Sequence, residues 1–562
     1  MIEQNFIKLF EDSFKANWDL NAFSNYGENH TLTYAQVAEE IAKLHILFEE
    51  CGIKKDDKIA LIGKNSINWA VTFLGTVSYG AIIVPILQDF NPNDIQNIIN
   101  HSDSKLLFLN EPIWENLDKE EFKSLERAYS LTNFDHLYTK KESNSAKSEE
   151  NLSKNITREH IEELFLKKYE GKFLPDNVNY VKKPNSEVVC ISYTSGTTGF
   201  SKGVMLTGNN YAGNVTFGIQ TELLKPGYQI VSFLPLAHAY GCAFDFLTAA
   251  ATGSHVHFIS RPPTAAILLP AFAKVKPNVI FCVPIIIEKI YKKQIQPKVS
   301  KPLVKILLHI PGIKHSILSK IKDKLINAFG GNFSQIVVGG APLNPEVEDF
   351  FNKMKFPITV GYGMTECAPL ISYAHTSEFV PKSAGKLLDI MEARIENPDP
   401  KTGIGEIVVK GENVMSGYYK NEEATNEVLS KDGWLRTGDL GTIDANKNIF
   451  IRGRNKTMLL SANGQNIYPE EIEAKLNNLP YVLESIVVDN NKKLEALVCP
   501  DYEMVEADGI TQEQLEHQMN ENLKHLNHSV AAYERISKIH IHKEEFEKTP
   551  KKSIKRYLYT KV

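Results

Sequence analysis

The sequence predicts an α/β protein with a large N-terminal domain of layered, mostly parallel sheets and helices, followed by a small α+β domain. Two observations lead to this prediction. Apolar runs of strand length alternate with amphipathic helical patterns over most of the chain, as in parallel sheets covered by helices. The alternation restarts as a short unit after Thr457. We therefore divide the 562 residues into domains at 1–454 and 455–562, each large enough for its own core.

The first hundred residues show the alternation. Apolar residues at helical spacing follow Thr33, and Gly52 stands where such a helix would end. A strand over 58–62, a further helix and a strand over 81–84 come next. This βαβ order predicts an open, largely parallel sheet.

The range 110–180 departs from this pattern. Its middle is polar and of low complexity, and we expect an exposed excursion with one short helix over 161–165. After it, apolar runs of strand length return at 188–191, 230–234, 335–338 and 358–360.

The C-terminal unit has a simple predicted order. Pro469 opens a helix whose first turn carries Glu470 and Glu471, which favour the helix dipole. The other predicted elements of this unit are strands at 485–488 and 494–498, a helix over 514–526 and a strand over 536–541.

Composition excludes several classes of protein. A net charge of −5 and a pI near 6.4 give no reason to expect a nucleic-acid partner. The six cysteines are scattered and form no C-x-x-C pair, which favours reduced thiols and argues against a structural metal site. No apolar run approaches the roughly 18–20 residues of a membrane-spanning helix, and the first residues lack the core of a signal peptide. We expect a cytoplasmic protein.

The stretch from Tyr193 to Thr207 has the composition of a phosphate-binding loop. Glycines at 196, 199 and 203 let successive N–H groups point into one concavity. Hydroxyl side chains and the ammonium of Lys202 add further donors, and the preceding apolar run would place the loop at the end of a strand. The alternative is an ordinary surface loop, which is the commonest outcome of such Gly/Ser/Thr clusters.

Two other nucleotide-binding classes do not fit this loop. A P-loop requires a second glycine five residues after the first, where this chain has Ser201 after Gly196. A protein kinase requires an H-R-D catalytic loop and a D-F-G triplet, and the sequence contains neither.

The string YTSGTTGFSKGVMLT resembles the signature loop of the acyl-adenylate-forming (AMP-binding) superfamily. Blocks at 361–369, 432–440 and 449–473 match that superfamily in order and rough spacing, so the resemblance covers nearly the whole chain. The chain looks most like the bacterial long-chain fatty acid–CoA ligases. The resemblance implies ATP-dependent ligation of a long-chain fatty acid to coenzyme A through an acyl-adenylate, with release of pyrophosphate and AMP and with Mg²⁺ as cofactor.

Two alternatives to this activity stay open. One is an enzyme of the same superfamily that passes the acyl group to an acyl carrier protein. The other is a non-catalytic protein of the same fold that binds ATP or an acyl-adenylate. Fold alone does not decide among them, because function depends on the residues of the site.

The resemblance implies a nucleotide site built from distant segments. Thr365 and Glu366 suit a phosphate oxygen and Mg²⁺, which prefers hard oxygen ligands. The carboxylate of Asp439 suits a ribose diol, and the fork of Arg454 suits ribose and phosphate oxygens. The predicted ATP-binding residues are Thr194, Ser195, Gly196, Thr197, Thr198, Lys202, Gly340, Ala341, Tyr362, Asp439 and Arg454.

His238 belongs to the segment Pro235–Gly241, which in the superfamily borders the acyl pocket. By resemblance, its ring helps to seat the substrate carboxylate; the alternative is a packed core histidine. The stretch LPLAHAYG contains no carboxylate that could receive an amino group, which argues against an amino-acid substrate. Lys456 stands at the position of the hinge about which the superfamily's small domain moves between the two half-reactions.

The C-terminal tail departs from the superfamily pattern. A lysine expected to reach the α-phosphate and the acyl carboxylate is replaced in the simplest alignment by Ser553. Lys552 after a one-residue shift, Lys555 as a substitute, or impaired adenylation are the alternatives. We favour Lys552 as the catalytic lysine; a solvated lysine tail is the alternative.

The segment 288–324 is strongly basic. Ten lysines are interleaved with aliphatic residues there. Such a segment could lie on an anionic bilayer at the inner face of the membrane, with its lysine stems extended along the surface. A solvated helical face over a local core is the alternative.

Overall fold

The computed structural model describes residues 2–140, 156–194, 201–460, 466–490, 493–549 and 553–560. Strands within these ranges form seven sheets. Five sheets contain only strands that precede residue 455, and two contain only strands that follow it. The buried hydrophobic residues divide in the same way. Two clusters contain buried residues up to Ile449, and the other two contain buried residues from Ile467 onward. The chain is an α/β protein with a distinct C-terminal domain.

An eight-stranded sheet forms the centre of the large domain. Its middle strands are parallel and almost wholly buried, as continuous apolar runs require. The order across the sheet is Gly417–Tyr418, Lys202–Thr207, Val188–Thr194, Ile82–Ile86, Lys58–Ile62, Ser104–Leu109, Arg127–Ser130 and His136–Thr139.

Helices connect the parallel strands and cover the sheet. Helix Tyr34–Glu50 begins with a capping box at Thr33, and helix Ile67–Tyr79 ends at Gly80, which adopts φ of 96°. The other α- and π-helices of the large domain are Phe6–Ala16, Pro92–His101, Glu111–Trp114, Arg158–Lys168, Gly208–Gln220, Gly241–Thr248, Ala249–Thr252, Ala265–Val275, Pro284–Ile290, Tyr291–Ile295, Gln296–Val299, Pro302–Leu307, Pro311–Ala328, Pro345–Lys353 and Glu422–Val428.

Two further sheets of the large domain are mainly parallel. One contains Gln229–Ser232, His255–Phe258, Asn21–Asn25 and His30–Thr33, with an antiparallel pair at its edge. The other contains Val279–Cys282, Gln335–Val338 and Ile358–Val360. The last two strands run into two glycine-rich turns, the first at 339–341 and the second at 361–363. Because these strands are parallel neighbours, both turns lie at one edge of the sheet.

Antiparallel strands complete the large domain. A small sheet joins Tyr362–Gly363, Leu370–Tyr373 and Lys386–Leu387. A four-stranded sheet contains Met391–Glu396, Gly405–Gly411, Leu435–Ile443 and Ile449–Arg454, and the last two form a hairpin around Asp444.

The C-terminal domain follows the predicted order. Strands Val482–Asn490 and Lys493–Pro500 pair antiparallel, and Lys538–Ile541 joins them in parallel. A short pair, Leu459–Leu460 with Asn466–Ile467, precedes them. The helices are Pro469–Leu476, Tyr502–Ala507 and Gln512–Ser529.

The prediction for the range 110–180 is wrong in part. Its helix is present over Arg158–Lys168, but Arg127–Ser130 is a fully buried strand that continues the eight-stranded sheet. His136–Thr139 then forms the sheet's antiparallel edge. Arg127 and Ser130 are buried although their side chains are polar. Because a strand is predicted from a run of apolar residues, this strand was not predicted.

None of the helices in the described ranges is long and apolar enough to cross a bilayer.

Candidate functional site

One large cavity opens between the large domain and the C-terminal domain. Its volume is about 3180 Å³, several times the roughly 300–1,000 Å³ of a pocket for one small ligand. Every predicted site residue within the described ranges lines it: Thr194, Lys202, His238, Gly340, Ala341, Tyr362, Thr365, Glu366, Asp439, Arg454 and Lys456. Ser195, Gly196, Thr197, Thr198 and Lys552 lie outside the described residues.

The two strands that flank the glycine-rich loop form a β-hairpin at the cavity. Thr194 and Lys202 are opposite each other in the register, and the Thr194 hydroxyl lies 3.4 Å from the Lys202 carbonyl oxygen. Strand Val188–Thr194 pairs in parallel with Ile82–Ile86, so the central sheet fixes where this hairpin ends. Thr194 ends one strand and Lys202 begins its antiparallel partner, so both line the cavity at the sheet edge where the parallel strand Val188–Thr194 ends, which is the edge at which α/β sheets bind ligands.

Tyr418 connects this hairpin to the second glycine-rich turn. Its hydroxyl donates to Oε1 of Glu366 over 2.8 Å, and the ammonium of Lys202 lies 4.9 Å from the centre of its ring. Tyr418 pairs with Val204 at the edge of the eight-stranded sheet, so backbone hydrogen bonds fix its position. Burial raises the pKa of the Tyr418 hydroxyl above its ordinary value, with the Glu366 charge acting in the same direction. The phenol therefore remains a donor.

Glu366 is held by its backbone as well as by its side chain. It lies in the 3₁₀ turn Thr365–Cys367, and its carbonyl oxygen accepts from the Met415 N–H over 2.8 Å. Thr365 in the same turn is buried at the cavity wall. Because Met415 and Tyr418 belong to one short segment, that segment sets both the backbone and the carboxylate of Glu366.

The described residues contain no group of three or more His, Cys, Asp or Glu that could hold a metal ion by themselves. Glu366 is a single carboxylate beside the hairpin that carries Lys202. Mg²⁺ usually binds through one or two carboxylates together with substrate phosphates and water. The donor set therefore fits a Mg²⁺ ion that arrives with a polyphosphate, and it does not fit a metal cage made of protein alone.

The buried Asp439 and the exposed Arg454 form an ion pair on neighbouring strands. They are register partners, and Arg454 Nε lies 3.0 Å from Asp439 Oδ1. The Tyr362 hydroxyl donates to the other carboxylate oxygen over 2.7 Å. Asp439 is only 4% exposed, and this burial raises the pKa of its carboxyl, although the Arg454 charge and the Tyr362 hydrogen bond oppose the increase. A carboxylate oriented by two donors at a cavity wall is suited to accept from a diol.

The turn after strand Gln335–Val338 brings backbone to the cavity surface. Gly340 adopts φ of 86°, a conformation that favours glycine. At Gly339, a Cβ atom would lie 3.1 Å from the ring of Tyr240, so a side chain there would press on that ring. Gly340 and Ala341 are exposed and line the cavity, which leaves a flat backbone surface for a planar ligand.

His238 lines the same cavity. The ring is half-buried, and its Nδ1 accepts from the Tyr240 N–H over 3.3 Å. The rings of Tyr240, Phe244 and Phe281 contact one another on the cavity wall. We refer to the aromatic side chains that line the cavity as the aromatic chamber: Phe217, Phe233, Tyr240, Phe244, Phe281 and Tyr373. Aromatic rings together with one imidazole on a cavity wall suit a ligand that has an apolar body and a polar head.

The C-terminal domain supplies the opposite wall. Ser553 and Lys555 both line the cavity, and the Lys555 ammonium lies 3.3 Å from a carboxylate oxygen of Glu547. Arg556 makes two hydrogen bonds to the buried carboxylate of Glu473. Lys555 and Arg556 are therefore already engaged with carboxylates of their own domain.

Polar contacts hold the two domains together beside the cavity. Asn344 donates to the Ala474 carbonyl oxygen over 3.0 Å, and Lys292 donates to the Val482 carbonyl oxygen over 3.1 Å. Lys293 and Glu503 form an exposed ion pair of 2.6 Å. Lys456 lies exposed in the turn that follows strand Ile449–Arg454.

The charged and glycine-rich residues of this site could be predicted from the sequence, but Tyr418 could not. The sequence signal was slight, because strand Gly417–Tyr418 has only two residues. The aromatic pair that follows Gly417 was the one indication that this segment could reach a ligand.

Two family models match the chain. The model of the AMP-binding enzyme family matches residues 10–419. The model of the AMP-binding enzyme C-terminal domain matches residues 456–561.

Several known proteins are similar to the chain over most of its length. The long-chain-fatty-acid–CoA ligase FadD15 of Mycobacterium bovis is 26% identical over 498 residues, which cover 84% of this chain and 78% of that protein. Long-chain-fatty-acid–CoA ligase 1 of Saccharomyces cerevisiae is 25% identical over 532 residues, which cover 88% of this chain and 75% of that protein.

Solved structures share the fold of the whole chain. The anthranilate CoA ligase AuaEII in complex with anthranoyl-AMP aligns with a TM-score of 0.78 at 18% identity, over 99% of this chain and 96% of that chain. ATP-bound MatB from Rhodopseudomonas palustris aligns with a TM-score of 0.74 at 20% identity, over 99% and 98% of the two chains. At these identities the likeness concerns the fold.

Proposed function

Since this chain belongs to the AMP-binding enzyme family, we propose that it ligates a long-chain fatty acid to coenzyme A by way of an acyl-adenylate. In the first step, a carboxylate oxygen of the fatty acid attacks the α-phosphorus of ATP, and the bond to pyrophosphate breaks. In the second step, the thiol of coenzyme A attacks the acyl carbonyl carbon and loses its proton, and AMP leaves. The products are acyl-CoA, AMP and pyrophosphate.

One observation carries this proposal. Eleven predicted residues, from segments more than 250 positions apart in the sequence, line a single cavity. The relatives named as long-chain-fatty-acid–CoA ligases support coenzyme A as acceptor and a long acyl chain as substrate. The aromatic chamber beside His238 supports an apolar acyl group.

We assign the adenosine half of ATP to the cavity wall around Asp439. The Asp439 carboxylate would accept hydrogen bonds from the ribose hydroxyls, with Arg454 and Tyr362 holding it in place. Gly340 and Ala341 would present flat backbone to the adenine ring. Burial favours such a site, because a charge-assisted hydrogen bond away from water is stronger than the same bond in solvent.

We assign the polyphosphate to the opposite part of the wall. Thr194, Lys202 and Thr365 would donate to phosphate oxygens, together with Ser195, Gly196, Thr197 and Thr198 from the loop. Glu366 would hold Mg²⁺, which when bound offsets the negative charge of the phosphates. Tyr418 positions Glu366 and lies against Lys202, so it would keep the acidic and the basic group of the site at a fixed separation.

His238 would seat the substrate carboxylate at the entrance of the aromatic chamber. Rate acceleration in the first step would come mainly from positioning and from donors aimed at the charged transition state. Lys552 is our candidate for the donor that reaches the α-phosphate from the C-terminal tail.

We also propose that the domains divide at 454/455 and that Lys456 is the hinge between two arrangements. The separate hydrophobic clusters and the polar, partly exposed contacts between the domains support this division. Interfaces of that kind favour relative domain motion. Rotation would exchange the groups that face the cavity between adenylation and thioester formation.

The decisive test is the stoichiometry of the reaction. With palmitate, ATP, Mg²⁺ and coenzyme A, the protein should form palmitoyl-CoA and AMP in equal amounts, and no ADP. With palmitate and ATP alone, it should exchange labelled pyrophosphate into ATP. Acetate and benzoate serve as controls for chain length. Formation of ADP, or exchange that does not depend on any carboxylate, would contradict the proposal.

The two alternatives predict different outcomes in the same assay. An enzyme that acylates a carrier protein would show exchange with palmitate but would need holo-carrier protein for thioester formation. A binding protein would hold ATP without releasing pyrophosphate from any acid. Ser553 at the cavity wall, where the superfamily has lysine, is the observation that favours this last outcome.

A further inference from the structure

A group of large aliphatic side chains is exposed on the surface of the large domain. Leu303 is 68% exposed, Ile306 63%, Ile310 45% and Ile313 39%. They account for four of the eleven exposed large hydrophobic residues in the described part of the chain, yet they lie within eleven consecutive positions. Helix Pro302–Leu307 carries the first two, and Ile310 and Ile313 are the N-cap residue and a first-turn residue of helix Pro311–Ala328. We refer to residues 301–314 as the basic aliphatic face.

The charge of this face is opposite to that of the protein as a whole. The stretch 289–322 contains nine lysines and no Asp or Glu, whereas the complete chain has a net charge of −5. Lys301, Lys305 and Lys314 are exposed on the face. None of these three forms an ion pair with any residue in the described ranges, so their charges are directed to the surroundings.

The chemistry of the face favours a lipid surface over a protein partner. Protein interfaces are enriched in Tyr, Trp and Arg, and lysine is depleted there. The stretch 292–328 contains no aromatic residue and no arginine. Aliphatic side chains surrounded by flexible lysines are instead the pattern of segments that insert into the headgroup region of anionic membranes.

The face follows a cavity-lining helix in the chain. Helix Pro284–Ile290 precedes it in the chain, and Ile285, Ile286 and Lys289 from that helix line the cavity. Ile285 is itself 47% exposed. The stretch 291–300 therefore joins the face to the cavity wall.

We propose that the basic aliphatic face docks the protein on an anionic bilayer. Leu303, Ile306, Ile310 and Ile313 enter the headgroup region, and Lys301, Lys305 and Lys314 pair with lipid phosphates and carboxylates. The docking itself does not depend on the proposed ligase activity. If that activity holds, docking brings the enzyme to the bilayer in which long-chain acids are dissolved.

The proposal is tested by co-sedimentation of the full-length protein with vesicles of phosphatidylcholine, alone or mixed with phosphatidylserine. We expect binding to the mixed vesicles and little binding to phosphatidylcholine alone. Each lysine near such a surface contributes about fivefold to the partition coefficient at low salt. Lys301→Gln with Lys305→Gln should thus lower partition by roughly tenfold or more, and Leu303→Asn with Ile306→Asn should lower it at least as much.

Matched controls come from helix Arg158–Lys168 and the segment after it. Leu166 and Leu174 are each 55% exposed, and Lys167 and Lys172 are exposed lysines of the same region. Leu166→Asn with Leu174→Asn, and Lys167→Gln with Lys172→Gln, should leave partition unchanged. The thermal unfolding midpoint of every variant should match that of the unaltered protein, because all of these side chains are at the surface.

Three results would overturn the proposal. One is partition that does not depend on phosphatidylserine. Another is an equal loss of partition in the control variants. The third is a self-association that Leu303→Asn with Ile306→Asn abolishes while no vesicle binding is seen, which would assign the face to a second copy of the chain. ATP binding, measured in parallel, keeps these outcomes separate from a failure of the proposed function.

Discussion

Tyr418 donates a hydrogen bond of 2.8 Å to Glu366 while its ring lies under the Lys202 ammonium, 4.9 Å from the ring centre. Through this one side chain, the central sheet fixes the position of the proposed Mg²⁺ ligand relative to a proposed phosphate-binding cation. The hydroxyl and the ring act on different partners, so substitution can separate the two effects. Removing the hydroxyl should release Glu366 and leave Lys202 in place.

We therefore predict that Tyr418→Phe weakens the Mg²⁺ dependence of nucleotide binding. A hydrogen bond to a charged group contributes about 1.5–3 kcal/mol, so the Mg²⁺ concentration at half-maximal effect should rise roughly tenfold. Binding of ATP without Mg²⁺ should change little. Calorimetric titration of ATP at a series of Mg²⁺ concentrations measures both quantities.

The neighbouring tyrosine supplies the control for this experiment. Tyr419 donates to Asp103 over 3.0 Å, away from Glu366. Tyr419→Phe should leave the Mg²⁺ titration unchanged. Equal shifts in the two variants would mean that the effect comes from loss of packing in this segment, and the positioning role of Tyr418 would be wrong.

A second prediction concerns the ribose site. Asp439→Asn keeps the size of the side chain but replaces one acceptor oxygen with a donor that faces Arg454 or Tyr362. We expect ATP and AMP affinity to fall by roughly a hundredfold, since about two charge-assisted hydrogen bonds are lost. Fluorescence competition with both nucleotides measures the loss.

The control for the ribose site is Asp432→Asn. Asp432 is exposed and bonds to the hydroxyl of Ser430 in the turn before the same strand. Nucleotide affinity should stay unchanged in that variant. A loss confined to ATP, with AMP binding intact, would argue that Asp439 contacts the polyphosphate instead of the ribose.

The candidate site could be predicted wherever local sequence carries the chemistry. Turns such as those at Gly340 and Gly438 need glycine for their positive φ, so their positions are visible without a structure. Tyr418 could not be found in this way, because its role depends on a two-residue strand that pairs with a strand more than 200 positions earlier. The strand Arg127–Ser130 was missed for a similar reason, since tertiary burial overrides its polar composition.

A third prediction comes from Asp245, which sequence analysis also passed over. This residue is fully buried in helix Gly241–Thr248 behind the aromatic chamber. Burial raises the pKa of its carboxyl well above the ordinary value, although Ser232 and the Leu234 backbone oppose the increase. The folded protein therefore holds this proton more tightly than the unfolded chain does.

The sign of the resulting pH dependence follows from linkage. A carboxyl with a raised pKa in the folded state contributes stability below its unfolded pKa, and that contribution is lost as pH rises toward the folded pKa. The slope reaches about 1.4 kcal/mol per pH unit between the two values. Asp245→Asn removes this titratable group. The thermal midpoint of the variant, relative to that of the unaltered protein, should therefore increase as pH rises from about 5 to 8.

Asp323→Asn is the control for the pH series, because Asp323 is exposed on helix Pro311–Ala328. It should shift the midpoint by the same small amount at every pH. The prediction is wrong if the difference in thermal midpoint between Asp245→Asn and the unaltered protein stays constant across the pH range. The pKa of the Asp245 carboxyl would then be the same in the folded and unfolded states.

The last prediction concerns the tail lysine. Lys555 lies 3.3 Å from Glu547 and is engaged within its own domain, which leaves Lys552 as the candidate for the α-phosphate. Removing one donor to a developing oxyanion typically lowers the rate about 10²–10³-fold. Lys552→Ala should therefore slow palmitate-dependent pyrophosphate exchange by about a hundredfold, whereas Lys555→Ala should change it by no more than about threefold.

Thioester formation from palmitoyl-adenylate and coenzyme A should proceed in both variants, because a lysine that acts on the α-phosphate is needed in the first step alone. Unchanged exchange in Lys552→Ala would exclude Lys552 from this role, and a loss seen only in Lys555→Ala would mean that the Glu547 pair opens when substrate binds.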